Sequence, residues 1–180
     1  MAFHRPLNTR GFTLMELVVV VAVIGILAVL SIPTFLGYWR TATLKAGSQE
    51  LVALLNQGRQ VAIKENSSVC MRVEVAPPNF GTRVRYIIKG TDCAATATCA
   101  SNGNVTPCFW TGPGTDASGW IQLSNRVEIR RLTPGTGDME FSYLGAAPIT
   151  GSFRVRMMDN TSATSTVSVT SSGRTSYVFP

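Results

Sequence analysis

From Phe12 through Ile32 the chain carries a single charged side chain, Glu16, in an otherwise apolar run. A carboxylate inside lipid is costly on membrane-insertion scales, so this one calls for a partner. Ahead of it lie Arg5, Arg10 and the junction Gly11-Phe12. The other chemically distinctive side chains are four cysteines, Cys70, Cys93, Cys99 and Cys108, and one histidine, His4. Because His4 precedes the apolar run, the rest of the chain has no imidazole to act as general base, triad member or metal ligand. Its carboxylates are scattered, without metal or acid–base spacing. Gly112-Pro113-Gly114 and Gly135-Thr136-Gly137 are loop signals, since no strand-to-helix frame with a Lys-Ser/Thr comes after them. The expectation is a chain without enzymatic activity, cofactor or metal.

Glu16 must be positioned by a helix. About 21 residues from Phe12 to Ile32 rise about 1.5 Å each, roughly 31 Å in all, close to the hydrocarbon thickness of a bilayer. Valine, isoleucine, leucine and alanine occupy every side, where a core helix of a soluble domain would keep a polar face. Residues 12–33 are therefore expected to span a membrane. A secretory signal peptide would use Arg5 and Arg10 as its basic end and Leu17 to Leu30 as its apolar stretch. The next segment, Ser31-Ile32-Pro33-Thr34-Phe35, is no Ala-x-Ala-like cleavage site. A plain single-span anchor fits the hydropathy and leaves Glu16 unexplained. The basic residues before the span place the N-terminus in the cytoplasm and the remainder outside.

The run Arg10-Gly11-Phe12-Thr13-Leu14-Met15-Glu16-Leu17 resembles the leader junction of type IV pilins and of the pseudopilins of type II secretion. The resemblance implies that residues 1–11 are a leader, cut between Gly11 and Phe12 by a membrane-bound prepilin peptidase. It also implies that Phe12 becomes an N-methylated first residue, that Glu16 pairs with the terminal amine of a neighbouring subunit, and that Pro33 bends the helix. Further partners are implied: other pilin or pseudopilin subunits, the inner-membrane assembly platform, and lipid before assembly. Elementary electrostatics agrees. Cleavage removes Arg5 and Arg10 and leaves an ammonium group near a carboxylate otherwise without a partner, and a buried pair of this kind is directional because breaking it strands a charge. The apolar helix surface, once out of lipid, is buried only against other such helices.

Beyond the span, roughly 147 residues are enough for one domain with its own core. Residues 34–66 are expected to continue the helix as an amphipathic half, with Leu44, Gly47, Ser48, Leu51, Leu55, Gly58 and Ala62 on one stripe and the glycines admitting a sheet at close range. Asn66-Ser67-Ser68 ends it. From Val69 the period changes to two: Val69, Met71, Val73 and Val75 alternate with Cys70, Arg72 and Glu74 until Pro77-Pro78. Further strands are expected at Val84 to Ile88, Trp120 to Leu123, Val127 to Leu132, Met139 to Leu144, Phe153 to Met158, Ser165 to Thr170 and Thr175 to Phe179. The fold class is α+β: a long N-terminal helix packed on an antiparallel β head, residues 67–180. Three of the cysteines fall in 91–113, which reads as a long loop stapled by an internal bridge, with Cys70 able to tie it to the sheet. Four cysteines allow three pairings, and spacings of five and eight do not fit structural zinc.

Leu51 through Lys64 with Gly58-Arg59-Gln60, Phe141-Ser142-Tyr143-Leu144-Gly145, and Val167-Ser168-Val169 with Gly173-Arg174 resemble the H-type pseudopilin and its type IV pilus counterpart, a minor pilin. Gly173-Arg174 also reads simply as a hairpin turn. Three functions are in view. The first is a minor pilin or pseudopilin assembled into a pilus or secretion pseudopilus. The second is DNA binding during uptake, with Arg154, Arg156 and Arg174 as contacts, Arg130 and Arg131 in support, and the second arginine of the family's glycine-arginine motif missing at Ser176. The third is an anchored periplasmic domain that never polymerises. The chain's 16 Lys+Arg against 10 Asp+Glu, a formal net charge of +6, is dispersed and suits either solubility or an anionic partner.

Overall fold

A computed structural model describes residues 12–74, 80–89, 98–101, 104–107, 109–133 and 138–179. The expected leader 1–11, with Gly11, lies outside them, as do Cys93, Cys108 and the Val75 to Pro78 strand end. One helix, α1, runs Leu14–Lys64 over 51 residues. The chain divides into two compact units, Met1–Arg40 and Thr41–Pro180.

In the first unit α1 is bare. Its apolar side chains from Leu14 to Ile32 are between 47% and 81% exposed, and no face is polar. The helix is continuous through Pro33, whose missing N–H leaves the Val29 carbonyl without its usual donor. Ser31 Oγ donates back to the Leu27 carbonyl at 2.8 Å and Thr34 Oγ1 to the Ser31 carbonyl at 2.9 Å.

In the second unit the helix buries a stripe made of Leu44, Gly47, Ser48, Leu51, Leu55, Gly58 and Ala62, with Leu54 and Val61 beside it. The two glycines are where strands come closest. A Cβ added at Gly47 would lie 2.6 Å from Val127 Cγ1, and one at Gly58 would lie 3.0 Å from Tyr86 Cε1. Tyr86 reaches over the helix and its hydroxyl donates to the Leu54 carbonyl at 2.7 Å. Burial pushes the Tyr86 phenol well above its ordinary pKa. The helix ends as its sequence expects. Asn66 takes φ 47°, Ser67 N donates to the Ala62 carbonyl and Asn66 N to the Ile63 carbonyl, so the last carbonyls are satisfied by a left-handed cap.

The described residues hold ten strands: β1 Ser68–Val73, β2 Arg83–Lys89, β3 Thr98–Ser101, β4 Asn104–Pro107, β5 Trp120–Gln122, β6 Val127–Thr133, β7 Met139–Phe141, β8 Gly151–Met157, β9 Thr164–Val169 and β10 Thr175–Val178. All pair antiparallel. Among the described residues these strands form two four-stranded sheets, in the orders β5-β2-β1-β7 and β10-β9-β8-β6, plus the hairpin β3-β4. Gly81 joins the two larger sheets by exchanging both backbone hydrogen bonds with Ile129, each 2.9 Å. Only glycine fits there, since a Cβ would fall 1.6 Å from the Glu74 carbonyl oxygen. The core includes Leu51, Leu55, Met71, Tyr86, Ile129, Phe141 and Phe153.

Three local expectations change. The cysteine segment 91–113 is not a plain loop: β3 and β4 form a hairpin within it, and Phe109 bridges to Ile87. Strand β7 stops at Phe141, because Gly145 at φ +77° closes a turn in which Gly145 N donates to Ser142 O. Alternation in β1 breaks at its centre, where Val69, Cys70 and Met71 are all buried. Cys70 and its register partner Ile87 sit on the face expected to be open. Cys70 is disulfide-bonded.

Candidate functional site

The N-terminal site begins at Phe12, which is exposed, and Thr13, which caps α1. Thr13 Oγ1 accepts the Glu16 N–H at 3.2 Å, and the Thr13 carbonyl accepts from Glu16 N at 3.1 Å and Leu17 N at 3.2 Å. Thr13-Leu14-Met15-Glu16 thus has the spacing of a capping box, a helix-start signal that the sequence carries in plain form. Among the described residues no hydrogen bond or ion pair reaches the Glu16 carboxylate, so its side chain is left to outside groups. It stands where the first turn of the helix presents unpaired N–H groups, a place that favours negative charge.

Downstream, Leu14–Ile32 forms a 19-residue candidate membrane span with mean hydropathy 2.8 and none of it buried. Phe35, Tyr38 and Trp39 come directly after it and are all exposed, with the rings of Phe35 and Trp39 6.1 Å apart. Aromatic residues next to Arg40 at the end of an apolar span suit a membrane–water boundary. Sequence reasoning missed this belt although its signal, three aromatics within five positions, was there.

The arginines expected to meet an anionic partner separate. Phe153, Val155 and Met157 face the core, so Arg154 and Arg156 share the outer face of the second sheet. Arg154 is exposed, opposite Arg130 on β6. Arg156 is different: its guanidinium bonds Glu128 at 2.7 Å, lies 3.5 Å from the Phe80 ring centroid, and leaves only 16% of its side chain exposed. It is spent within the head and is corrected from the open cation expected. Arg131 donates to the Asp138 carbonyl and is half-buried, so it does not join Arg130 at the surface. Arg174 is exposed beyond the β9–β10 turn, which Gly173 makes at φ +76°. Thr166, opposite Arg154, and Thr170, which closes that turn, are four residues apart, about 13 Å of strand. Among the described residues no group of His, Cys, Asp and Glu has the arrangement to hold a metal ion.

A bare apolar N-terminal helix with one carboxylate near its start, in a chain whose other unit is a β-rich head, defines an N-terminally anchored class of protein. A family model, the prokaryotic N-terminal methylation motif, matches residues 7–32, so the N-terminus of this chain carries that prepilin-type motif. No curated protein matches the chain. Among solved structures it is similar to the Pseudomonas aeruginosa type IV minor pilin FimU, at 14% identity over 75% of this chain and 92% of that one, TM-score 0.47. It is also similar to the Vibrio cholerae minor pseudopilin EpsH of the Type 2 Secretion System, at 11% identity over 76% and 97%, TM-score 0.48. The motif, and not these distant likenesses, speaks to function.

Proposed function

We propose that this chain is a minor pilin or pseudopilin, a structural subunit rather than an enzyme. A prepilin peptidase cuts it between Gly11 and Phe12, Phe12 is N-methylated, and the subunit leaves the inner membrane for a type IV pilus or a type II secretion pseudopilus. The observation that carries this reading is the methylation motif at 7–32 placed on a bare apolar helix whose one carboxylate has no partner among the described residues. The N-terminus faces the cytoplasm and the head the periplasm. In the filament Glu16 takes the terminal amine of a neighbouring subunit, and Pro33 is where the helix bends. Replacing Glu16 by Leu tests the pairing: the variant is expected to be cleaved and to reach the membrane at the normal level, yet to be depleted in filaments. Unchanged incorporation would remove the role assigned to Glu16.

The DNA-binding reading keeps Arg154 and Arg174 and loses Arg156. What favours it is the exposed cross-strand pair Arg130 and Arg154, with no carboxylate partner among the described residues. Phosphate binding through these groups would weaken steeply with added salt. A full-length protein that binds no DNA at low ionic strength would end it.

A further inference from the structure

The first charge after Glu16 is Arg40, and every residue between them is uncharged. Along α1 their Cα atoms lie about 36 Å apart, at about 1.5 Å per residue. A hydrocarbon layer is about 30 Å thick, so both charges stay outside it only if its centre falls near residue 28. Hydropathy alone centres the span differently. Leu14–Ile32 has its middle at Val23, and a layer centred there would hold Glu16 about 5 Å inside it.

The residues just past Ile32 decide between the two depths. Ser31 Oγ and Thr34 Oγ1 already donate to helix carbonyls, at 2.8 and 2.9 Å, so both enter an apolar layer with their hydroxyl protons satisfied. Leu36 is apolar and exposed, and Gly37 brings no side chain. The layer can therefore run on past Pro33. Phe35, Tyr38 and Trp39 then share about a third of the helix circumference, all exposed, with the Phe35 and Trp39 rings 6.1 Å apart. Aromatic rings with a polar tip settle at headgroup level, where phenol and indole N–H meet water and esters. Arg40 follows, exposed and with no carboxylate in reach among the described residues, where lipid phosphate suits a guanidinium. At the other end α1 starts at Leu14 under the Thr13 cap, and the first N–H groups of a helix need water or another acceptor. A depth centred near residue 28 gives them water; one centred at Val23 puts them at the edge of the hydrocarbon.

We infer that Phe35, Tyr38, Trp39 and Arg40 form a lipid-headgroup contact that sets the depth of α1, and that this depth holds Glu16 in the opposite headgroup layer, outside the hydrocarbon. The carboxylate is hydrated while the chain is in a bilayer and needs no partner there. The contact is continuous with the span and rests on the membrane anchoring in the proposed function, not on filament assembly.

The test uses the full chain in vesicles of phosphatidylethanolamine and phosphatidylglycerol, with a nitroxide on Met15→Cys or Ala28→Cys and the unsubstituted chain treated alike as a blank. Depth is read from relaxation by oxygen against relaxation by a water-soluble nickel complex. The label at 28 is expected near the midplane and the label at 15 in the headgroup layer. Phe35→Ser/Tyr38→Ser/Trp39→Ser is expected to carry the label at 15 into the hydrocarbon, about one helical turn or 5 Å deeper. An exchanged belt, Phe35→Trp/Tyr38→Phe/Trp39→Tyr, is expected to keep the parent depth. A label at 15 that is deep in the parent, or unmoved by the triple serine variant, overturns the inference. So does a depth that varies with the protein-to-lipid ratio, which would give the belt to a second copy. A label at 28 found in water overturns the membrane anchoring as well, whereas a label at 28 in hydrocarbon beside a deep label at 15 sinks the depth assignment alone.

Discussion

Replacing Gly47 by Ala should destabilise the head even though alanine is the better helix former. The new methyl would sit 2.6 Å from Val127 Cγ1 and 2.7 Å from Cγ2, in a core where Val127 is fully buried. Overpacking of this kind costs about 1–3 kcal/mol, against roughly 1 kcal/mol gained in helix propensity, which leaves a net loss near 1 kcal/mol. Val127→Ala alone removes two methyl groups from the same spot and should cost about 2 kcal/mol. The double variant puts the Gly47→Ala methyl into the space that valine vacates. It should lose much less than the sum, giving a coupling of about 2 kcal/mol, well outside the few tenths expected of independent sites. Denaturant titration of the full chain in detergent measures all four corners of the cycle. Additivity, or a Gly47→Ala variant more stable than the parent, would refute the close approach of helix and strand.

Single contacts set other outcomes. Burial raises the Tyr86 pKa, so its folded value lies above its unfolded one, and the stability it lends is complete below about pH 10 and lost as pH rises further. Tyr86→Phe should cost about 1 kcal/mol at neutral pH by removing the bond to the Leu54 carbonyl, and should flatten the alkaline fall in melting temperature. Arg156→Ala should cost about 1–2 kcal/mol through the lost Glu128 pair and Phe80 packing, while Arg154→Ala should stay within about 0.5 kcal/mol by the same melting assay. Cys70 is fully buried as well as bonded, so a thiol reagent applied with reductant but without denaturant should leave it unlabelled by peptide mass mapping.

Much of the architecture is legible in the sequence because two periodicities carry it. The stripe through Leu44, Leu51, Leu55 and Ala62 announces a docked helix, and its glycines announce the close strand contacts found at Val127 and Tyr86. The alternation Phe153, Val155, Met157 marks the inward face of β8. Where pattern fails, partners remote in sequence decide. Cys70 alternates like a solvent-facing residue, yet it is fully buried and disulfide-bonded. Arg156 shares the outward face of Arg154, yet Glu128 and Phe80 claim it. No local pattern places a second sheet, since the β10-β9-β8-β6 order is set by which hairpin returns beside which. The turns at Gly145 and Gly173 meet beside Arg59 of the helix, a contact no local pattern predicts, although each segment carries its own helix or turn signal. At the N-terminus the opposite holds: Glu16 in its apolar run is plain from sequence, and the structure adds the Thr13 cap and the aromatic belt.

The intact mass of the protein isolated from its own cells bears most directly on the proposed role. A polypeptide that begins at Phe12 and carries one added methyl group is the expected result. A chain that still begins at Met1 while incorporated in a filament would contradict it.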